Sequence, residues 1–187
     1  MKKTLFALTL AAVAATAVAA DYRIDPHHTN ARFAIDHFGT STNVGGFYGL
    51  TGEMKFDPAR RTGSIDIKIP VAKLQSSSPE FTNHLKSADL FHAERHPEMR
   101  FVSTRFNFAG NKVHSVEGRL TLLGKTHPVT LRAEKFNCYD NPILKARVCG
   151  GDFSATIDRT LWGMNYLLEA GIPKNVRLDI QIEAAKQ

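Results

Sequence analysis

The sequence predicts an all-β protein with one short helical segment, folded as an eight-stranded antiparallel barrel. Three observations carry that reading. Apolar residues recur at every second position in most of eight separate stretches, most regularly at Val176, Leu178, Ile180, Ile182 and Ala184, which alternate with Arg177, Asp179, Gln181 and Glu183. This is the pattern of a strand with one buried face. Most of the stretches are joined by short polar or Gly/Pro links, which favours successive antiparallel neighbours. Eight one-faced strands must also hide two sheet edges, and closure into a barrel does so. A β-sandwich has the same period and stands as the alternative architecture.

The first twenty residues are set apart from the fold. Lys2 and Lys3 precede an uncharged run from Leu5 to Val18 that ends in small residues, the make-up of a secretory signal peptide. Cleavage after Ala19 or Ala20 leaves one domain, 21–187. The run falls short of the roughly 20 residues needed to cross a bilayer. The predicted strands are 30–38 with Phe33 and Ile35, 44–57 with Gly52, Met54 and Phe56, 63–70 with Ile65, Ile67 and Ile69, and a less regular 99–108. Then come 113–123 with Val116, Gly118, Leu120 and Leu122, 128–138 with Val129, Leu131 and Ala133, 149–159 with Phe153, Ala155 and Ile157, and 175–185. Between the third and fourth strands Ser78 can cap, Pro79 suits the first helical position, and Phe81, Leu85 and Ala88 follow at helical spacing. Pro97 ends the helical region, and 160–174 reads as an irregular connection.

The composition fits one packed domain: 187 residues, 43% hydrophobic and 22% charged. The net charge is +6 and falls to +4 once Lys2 and Lys3 leave, with 22 basic residues against 18 acidic ones. The cations are scattered, with no run that would mark a nucleic-acid arm. Cys138 and Cys149 are the only cysteines. Export places them in an oxidising compartment, and Asp140-Asn141-Pro142 between them is turn chemistry, so a disulfide across a hairpin loop is expected.

Signals for catalysis are missing. His92 and His96 lie four apart, but Glu94 falls one position late for H-E-x-x-H and Pro97 follows directly, so no metal site is expected there. His27-His28 reads as a strand entry. No G-x-S-x-G, G-x-G-x-x-G or P-loop pattern occurs, and the spacing of Gly46, Gly49 and Gly52 suits strand bends. Alternation turns Asp57 and Asp66 outward. Gly52, Gly118, Ala133, Ala155 and Ala184 are small inward positions that leave room in a lumen.

The chain also resembles a known family. The matching blocks begin with Ile24-Asp25-Pro26 and His28, Phe33-Ala34-Ile35-Asp36-His37, Val44-Gly45-Gly46-Phe47 and His84-Leu85-Lys86-Ser87-Ala88-Asp89-Leu90-Phe91. They continue with Pro97-Glu98-Met99-Arg100-Phe101, Gly118 to Val129, Ile157-Asp158-Arg159 and Gly163-Met164. In this order they resemble the YceI-like family of periplasmic, lipocalin-like, polyisoprenoid-binding proteins. The resemblance implies a lipocalin-like barrel, closed on one side by the helical segment, whose lumen holds a long apolar chain of quinone or polyprenyl type. It implies a periplasmic carrier that needs no cofactor, is no enzyme, and touches membranes transiently; a dimer is compatible with it.

On this reading Phe33, Ile35, Met54, Phe56, Ile67, Met99, Phe101, Leu120, Leu122, Phe153, Ile157, Leu178 and Ile180 line the lumen. His28, His37, His84 and Arg159 are the candidates for its mouth. Related sequences often carry a basic residue just before the helix histidine, where this chain has Thr82 and Asn83. Two rival functions share the same barrel: an enzyme acting on a lipid in the cavity, and a solidly packed interaction or stress-response module.

Overall fold

The computed structural model describes residues 19–187, so the leader reading for 1–18 lies outside the described residues. The strands are β1 (Ala20–Ile24), β2 (Asn30–His37), β3 (Ser41–Tyr48), β4 (Thr51–Asp57), β5 (Thr62–Pro70) and β6 (Leu74–Ser76). After the helix α1 (Pro79–Lys86) follow β7 (Glu98–Ala109), β8 (Lys112–Leu122), β9 (Lys125–Asn141), β10 (Ala146–Asp158) and β11 (Asn175–Lys186). Single 3-10 turns sit at Val71–Lys73 and Arg159–Trp162.

Eight strands close an antiparallel ring in the order β1, β4, β5, β7, β8, β9, β10, β11, with β11 returning to β1. The eight-stranded barrel is thus the fold. The strand that closes it differs from the expected one: Ala20–Ile24 completes the ring, while β2, β3 and β6 extend from β11 as a second run of wall. β1 and β2 share β11 end to end, Ile24 opposite Ala184 and Asn30 opposite Gln181. The gap between them is bridged by a side chain. Thr29, fully buried, donates from Oγ1 to the Glu183 carbonyl at 3.2 Å and accepts from the Glu183 amide at 3.1 Å. Both backbone groups of Glu183 therefore stay paired where the strand is interrupted.

The predicted stretch 44–57 is two strands. Gly49 at φ 64 breaks the chain, and Leu50, 1% exposed, turns inward before β4 begins. The parity of the buried residues flips there, from Phe47 to Leu50, Met54 and Phe56. Asp57 is a further correction. It is buried, because its Oδ1 accepts the amides of Ala59 and Arg60 at 3.0 Å each and closes the β4–β5 turn. Asp66 does face outward, paired with Arg100.

The two ends of the barrel differ. At the end where β4 finishes and β5 starts, Phe56 packs against Phe106, Phe108 and Phe136, with ring centroids 6.4, 6.1 and 5.3 Å away. This aromatic plug fills that end. At the opposite end lie α1, the chain that follows it, and the connection 163–174. α1 starts as its sequence predicts, with Pro79 at the first position and Ser78 Oγ accepting the Phe81 amide at 3.1 Å. Trp162, 1% exposed, anchors this end by donating from Nε1 to the Leu120 carbonyl at 3.1 Å. Cys138 and Cys149 sit opposite each other on β9 and β10 and are joined in a disulfide, with Cα atoms 4.1 Å apart.

Candidate lipid-binding cavity

Inward positions of the ring leave an internal cavity of about 330 Å3. It is elongated. On β11 alone it is bordered successively by Val176, Leu178, Ile180 and Ile182, which at about 3.3 Å per residue span roughly 20 Å of strand. Twelve of the thirteen predicted lumen residues border it: Phe33, Ile35, Met54, Ile67, Met99, Phe101, Leu120, Leu122, Phe153, Ile157, Leu178 and Ile180. Phe56 does not. It points inward as predicted, but its ring is spent in the aromatic plug.

The small inward residues do not make the room. None of Gly52, Gly118, Ala133, Ala155 or Ala184 borders the cavity. Instead two glycines receive rings from the neighbouring strand: a Cβ at Gly118 would come within 2.3 Å of Phe101 Cζ, and one at Gly45 within 2.5 Å of Phe33 Cζ. Those rings rest against the barrel wall, and the space lies beside them.

Residues outside the predicted strands complete the compartment. Phe81 and Leu85 of α1, Leu90 and Phe91 after it, and Met164, Tyr166, Leu167 and Ile172 of the 163–174 connection all border the cavity. Phe91 meets Phe33 and Phe47 at 5.9 and 5.1 Å between ring centroids. Helical spacing pointed to Phe81 and Leu85. The connection gave no periodic signal, since its residues reach the cavity from turns.

Three of the four mouth candidates border the cavity, namely His37, His84 and Arg159. His84 meets the Tyr166 ring edge-on at 5.1 Å. His28 does not reach it. Its exposed ring lies where β1 and β2 divide, with Nδ1 2.6 Å from Asp25 Oδ2, and that hydrogen bond raises its pKa.

Arg159 is 2% exposed, and burial pushes its pKa down. Its guanidinium donates from Nε to the Pro173 carbonyl at 3.0 Å, from Nη1 to Met164 at 2.9 Å and from Nη2 to Ile172 at 3.2 Å. The adjacent Asp158 pairs with Lys174 instead, at 3.1 Å. Arg159 therefore fastens the 163–174 connection over this end of the barrel. Among the described residues no Asp or Glu borders the cavity, and none form a group of three or more His, Cys, Asp or Glu suited to a metal ion. An apolar tube with its histidines and Arg159 at the rim can enclose a chain-like hydrocarbon, and it offers no carboxylate for acid–base work.

A family model described as the YceI-like domain matches residues 22–184. The chain belongs to the YceI-like family. Among relatives, a UPF0312 protein of Photorhabdus laumondii is 41% identical over 72% of this chain and 72% of its own length. Another, from Pseudomonas putida W619, is 33% identical over 100% of this chain and 99% of its own. Solved structures share the fold. The YceI protein of Campylobacter jejuni superposes with a TM-score of 0.69 at 22% identity, covering 82% of this chain and 90% of that one. BcnA of Burkholderia cenocepacia gives 0.67 at 23%, covering 82% and 95%. A polyisoprenoid binding domain from Saccharophagus degradans gives 0.65 at 10%, covering 90% and 99%. At these identities the likeness establishes the YceI barrel, and the residues within it are this chain's own.

Proposed function

We propose that this protein is a binding or carrier protein for a long-chain isoprenoid lipid of quinone or polyprenyl type, held in the barrel lumen. The observation that carries the reading is the shape and chemistry of the cavity: elongated, lined almost entirely by hydrocarbon, and without a carboxylate on its border. Burial contributes about 0.8 kcal/mol per methylene, so a long tail supplies the driving force with no head-group site of comparable strength. The polyisoprenoid binding domain of similar fold supports this choice of ligand. The charged leader and the paired cysteines support a periplasmic site of action after removal of the first 19 or 20 residues. With no carboxylate against the cavity among the described residues, the reading is of a protein that acts by binding and not by catalysis, and that needs no cofactor.

The test is organic extraction of gently purified protein followed by mass spectrometry. An isoprenoid-tailed lipid near one per barrel is expected. Protein that purifies without lipid and takes up none when offered ubiquinone or polyprenol would overturn the reading, as would chemical conversion of the lipid during incubation.

A further inference from the structure

Most of the capped end is polar or packed, but two turns there carry exposed apolar side chains on costly backbone. The β2–β3 turn is closed by the Thr40 amide donating to the His37 carbonyl at 3.1 Å. Its central residues Phe38 and Gly39 have φ 57 and 69. Positive φ at both central positions defines a type I′ turn, where Asn, Asp or Gly is favoured at the first. Phe38 occupies that position and is 48% exposed. The second turn runs from Asn165 to Leu168, closed at 3.0 Å. Leu167 is held there at φ 53, and both Leu167 and Leu168 are exposed. A bulky residue at positive φ is disfavoured, and the exposed part of each side chain returns nothing to the fold.

The turns are neighbours on the rim of the cavity. A Cβ on Gly171 would touch the Phe38 ring at 3.6 Å, while His37 and Leu167 both border the cavity. We infer that Phe38, Leu167 and Leu168 are apolar tips that insert into a lipid bilayer and set the mouth of the barrel against it.

A bilayer fits these tips better than a protein partner does. A stable protein interface buries on the order of 800 Å2 per partner, whereas these are single side chains standing on two chain reversals. Lipid contact is also continuous with the lumen, so the inference rests on the carrier reading for its purpose. Apolar contact carries the inference, and three nearby cations are already engaged: Lys174 with Asp158 at 3.1 Å, Arg177 with Asp179 at 2.7 Å, and Lys86 with the Ala72 carbonyl at 2.9 Å. Insertion should therefore proceed on a neutral membrane.

The test is co-sedimentation of the purified protein with phosphatidylcholine vesicles, with and without phosphatidylglycerol. Wild type should bind both alike and hold on at high salt. Phe38→Asn and Leu168→Asn should each weaken binding about tenfold. Phe38→Asn should also raise or preserve the melting temperature, because Asn suits the turn, whereas a structural Phe38 would lose stability. Both variants should keep wild-type affinity for parinaric acid in solution. Ile143→Asn serves as the control, since Ile143 is 88% exposed on the β9–β10 turn at the plugged end. Absence of vesicle binding by wild type, unaltered binding by the two tip variants, or loss with Ile143→Asn would each overturn the inference. Failure of wild type to take up parinaric acid counts against the carrier reading alone.

Discussion

The Phe101 ring lies over Gly118 of the adjacent strand, so closely that a Cβ at Gly118 would stand 2.3 Å from Phe101 Cζ and 2.8 Å from the Val102 carbonyl. The glycine keeps the ring against the wall and out of the lumen. Gly118→Val should drive Phe101 into the cavity, costing about 1–3 kcal/mol of stability through overpacking and reducing lipid capacity. Denaturant melts and lipid titration read the two effects. The double variant Gly118→Val with Phe101→Ala should recover capacity but not stability, since the Val102 carbonyl still meets the new Cβ at 2.8 Å; if capacity does not return, the ring does not govern the space.

The Thr29 hydroxyl makes two hydrogen bonds to the backbone of Glu183, at 3.1 and 3.2 Å. Thr29→Val keeps the shape and removes both, leaving the Glu183 amide unpaired while its carbonyl keeps the Asp25 amide at 2.9 Å, for a cost of about 1–3 kcal/mol. Thr29→Ser should cost far less. Urea denaturation decides between them, and a larger loss for Ser than for Val would assign the effect to the methyl group instead.

Much of the ring was legible because one buried face forces a two-residue period, which is why β5, β8, β10 and β11 fall within a few residues of their expected bounds. The failures have physical causes. β1 has only five residues, next to the apolar run of the first twenty, so its Tyr22–Ile24 alternation is too short to stand out. The parity flip between Phe47 and Leu50 was present in the sequence and marks the break that 44–57 concealed. The lumen transferred almost whole for the same reason as the strands. Phe56 was lost because period two gives the face of a residue and not its height along the barrel, and at its height four phenylalanines meet. Met164, Tyr166, Leu167 and Ile172 follow no period, since turns place them. His28 could not be separated from His37 and His84 without knowing that β1 and β2 divide at Asp25.

The Asp25–His28 pair predicts a pH dependence. The hydrogen bond that His28 donates to Asp25, then the Asp25 charge, raises the His28 pKa above 6.5. Burial pushes the Asp25 carboxyl up, but hydrogen bonds from His28 and the His27 amide, with the His28 charge, outweigh it and leave the pKa below 3.8. His28 thus adds stability that is complete below pH 6.5 and is lost as pH rises through its raised value. The Asp25 share is complete above pH 3.8 and is lost as pH falls through its lowered value. An NMR titration should show the His28 imidazole titrating lower in Asp25→Asn than in wild type, and an unchanged midpoint would refute the coupling.

Cys138 and Cys149 close a loop that the β9–β10 ladder already restrains, so the bridge should add no more than about 3 kcal/mol. Protein recovered from the periplasm should resist alkylation until reduced and then gain two alkyl groups. A Cys138→Ala, Cys149→Ala variant should fold and melt lower. Alkylation of native periplasmic protein without reductant would show that the bridge does not form there.

Head-group charge should matter little to binding. A diphosphate clamp needs cations with free donors at the mouth, and the buried guanidinium of Arg159 already gives one donor from each nitrogen to the carbonyls of Pro173, Met164 and Ile172. Lys174 and Arg177 are held by Asp158 and Asp179, and α1 carries Thr82 and Asn83 ahead of His84, so that among the described residues Arg32 is the single arginine on the cavity border with free donors on every nitrogen. The apolar lumen, by contrast, acts on any tail. Summed at about 0.8 kcal/mol per methylene, a long isoprenoid would nominally exceed the roughly −18 to −21 kcal/mol ceiling of non-covalent affinity. Chain ordering and incomplete burial offset much of that sum, yet the tail stays the dominant favourable contribution. A neutral quinone and a diphosphate lipid of equal tail length should therefore bind within about tenfold of each other, a difference of about 1.4 kcal/mol. Their ratio should change little between low and high salt, since screening weakens exposed charge contacts and leaves burial intact. Competition binding at two salt concentrations measures both quantities. A strong preference for the diphosphate that collapses with salt would mean that Arg32 holds the anion, or that Arg159 or Lys86 releases its carbonyl partners to do so.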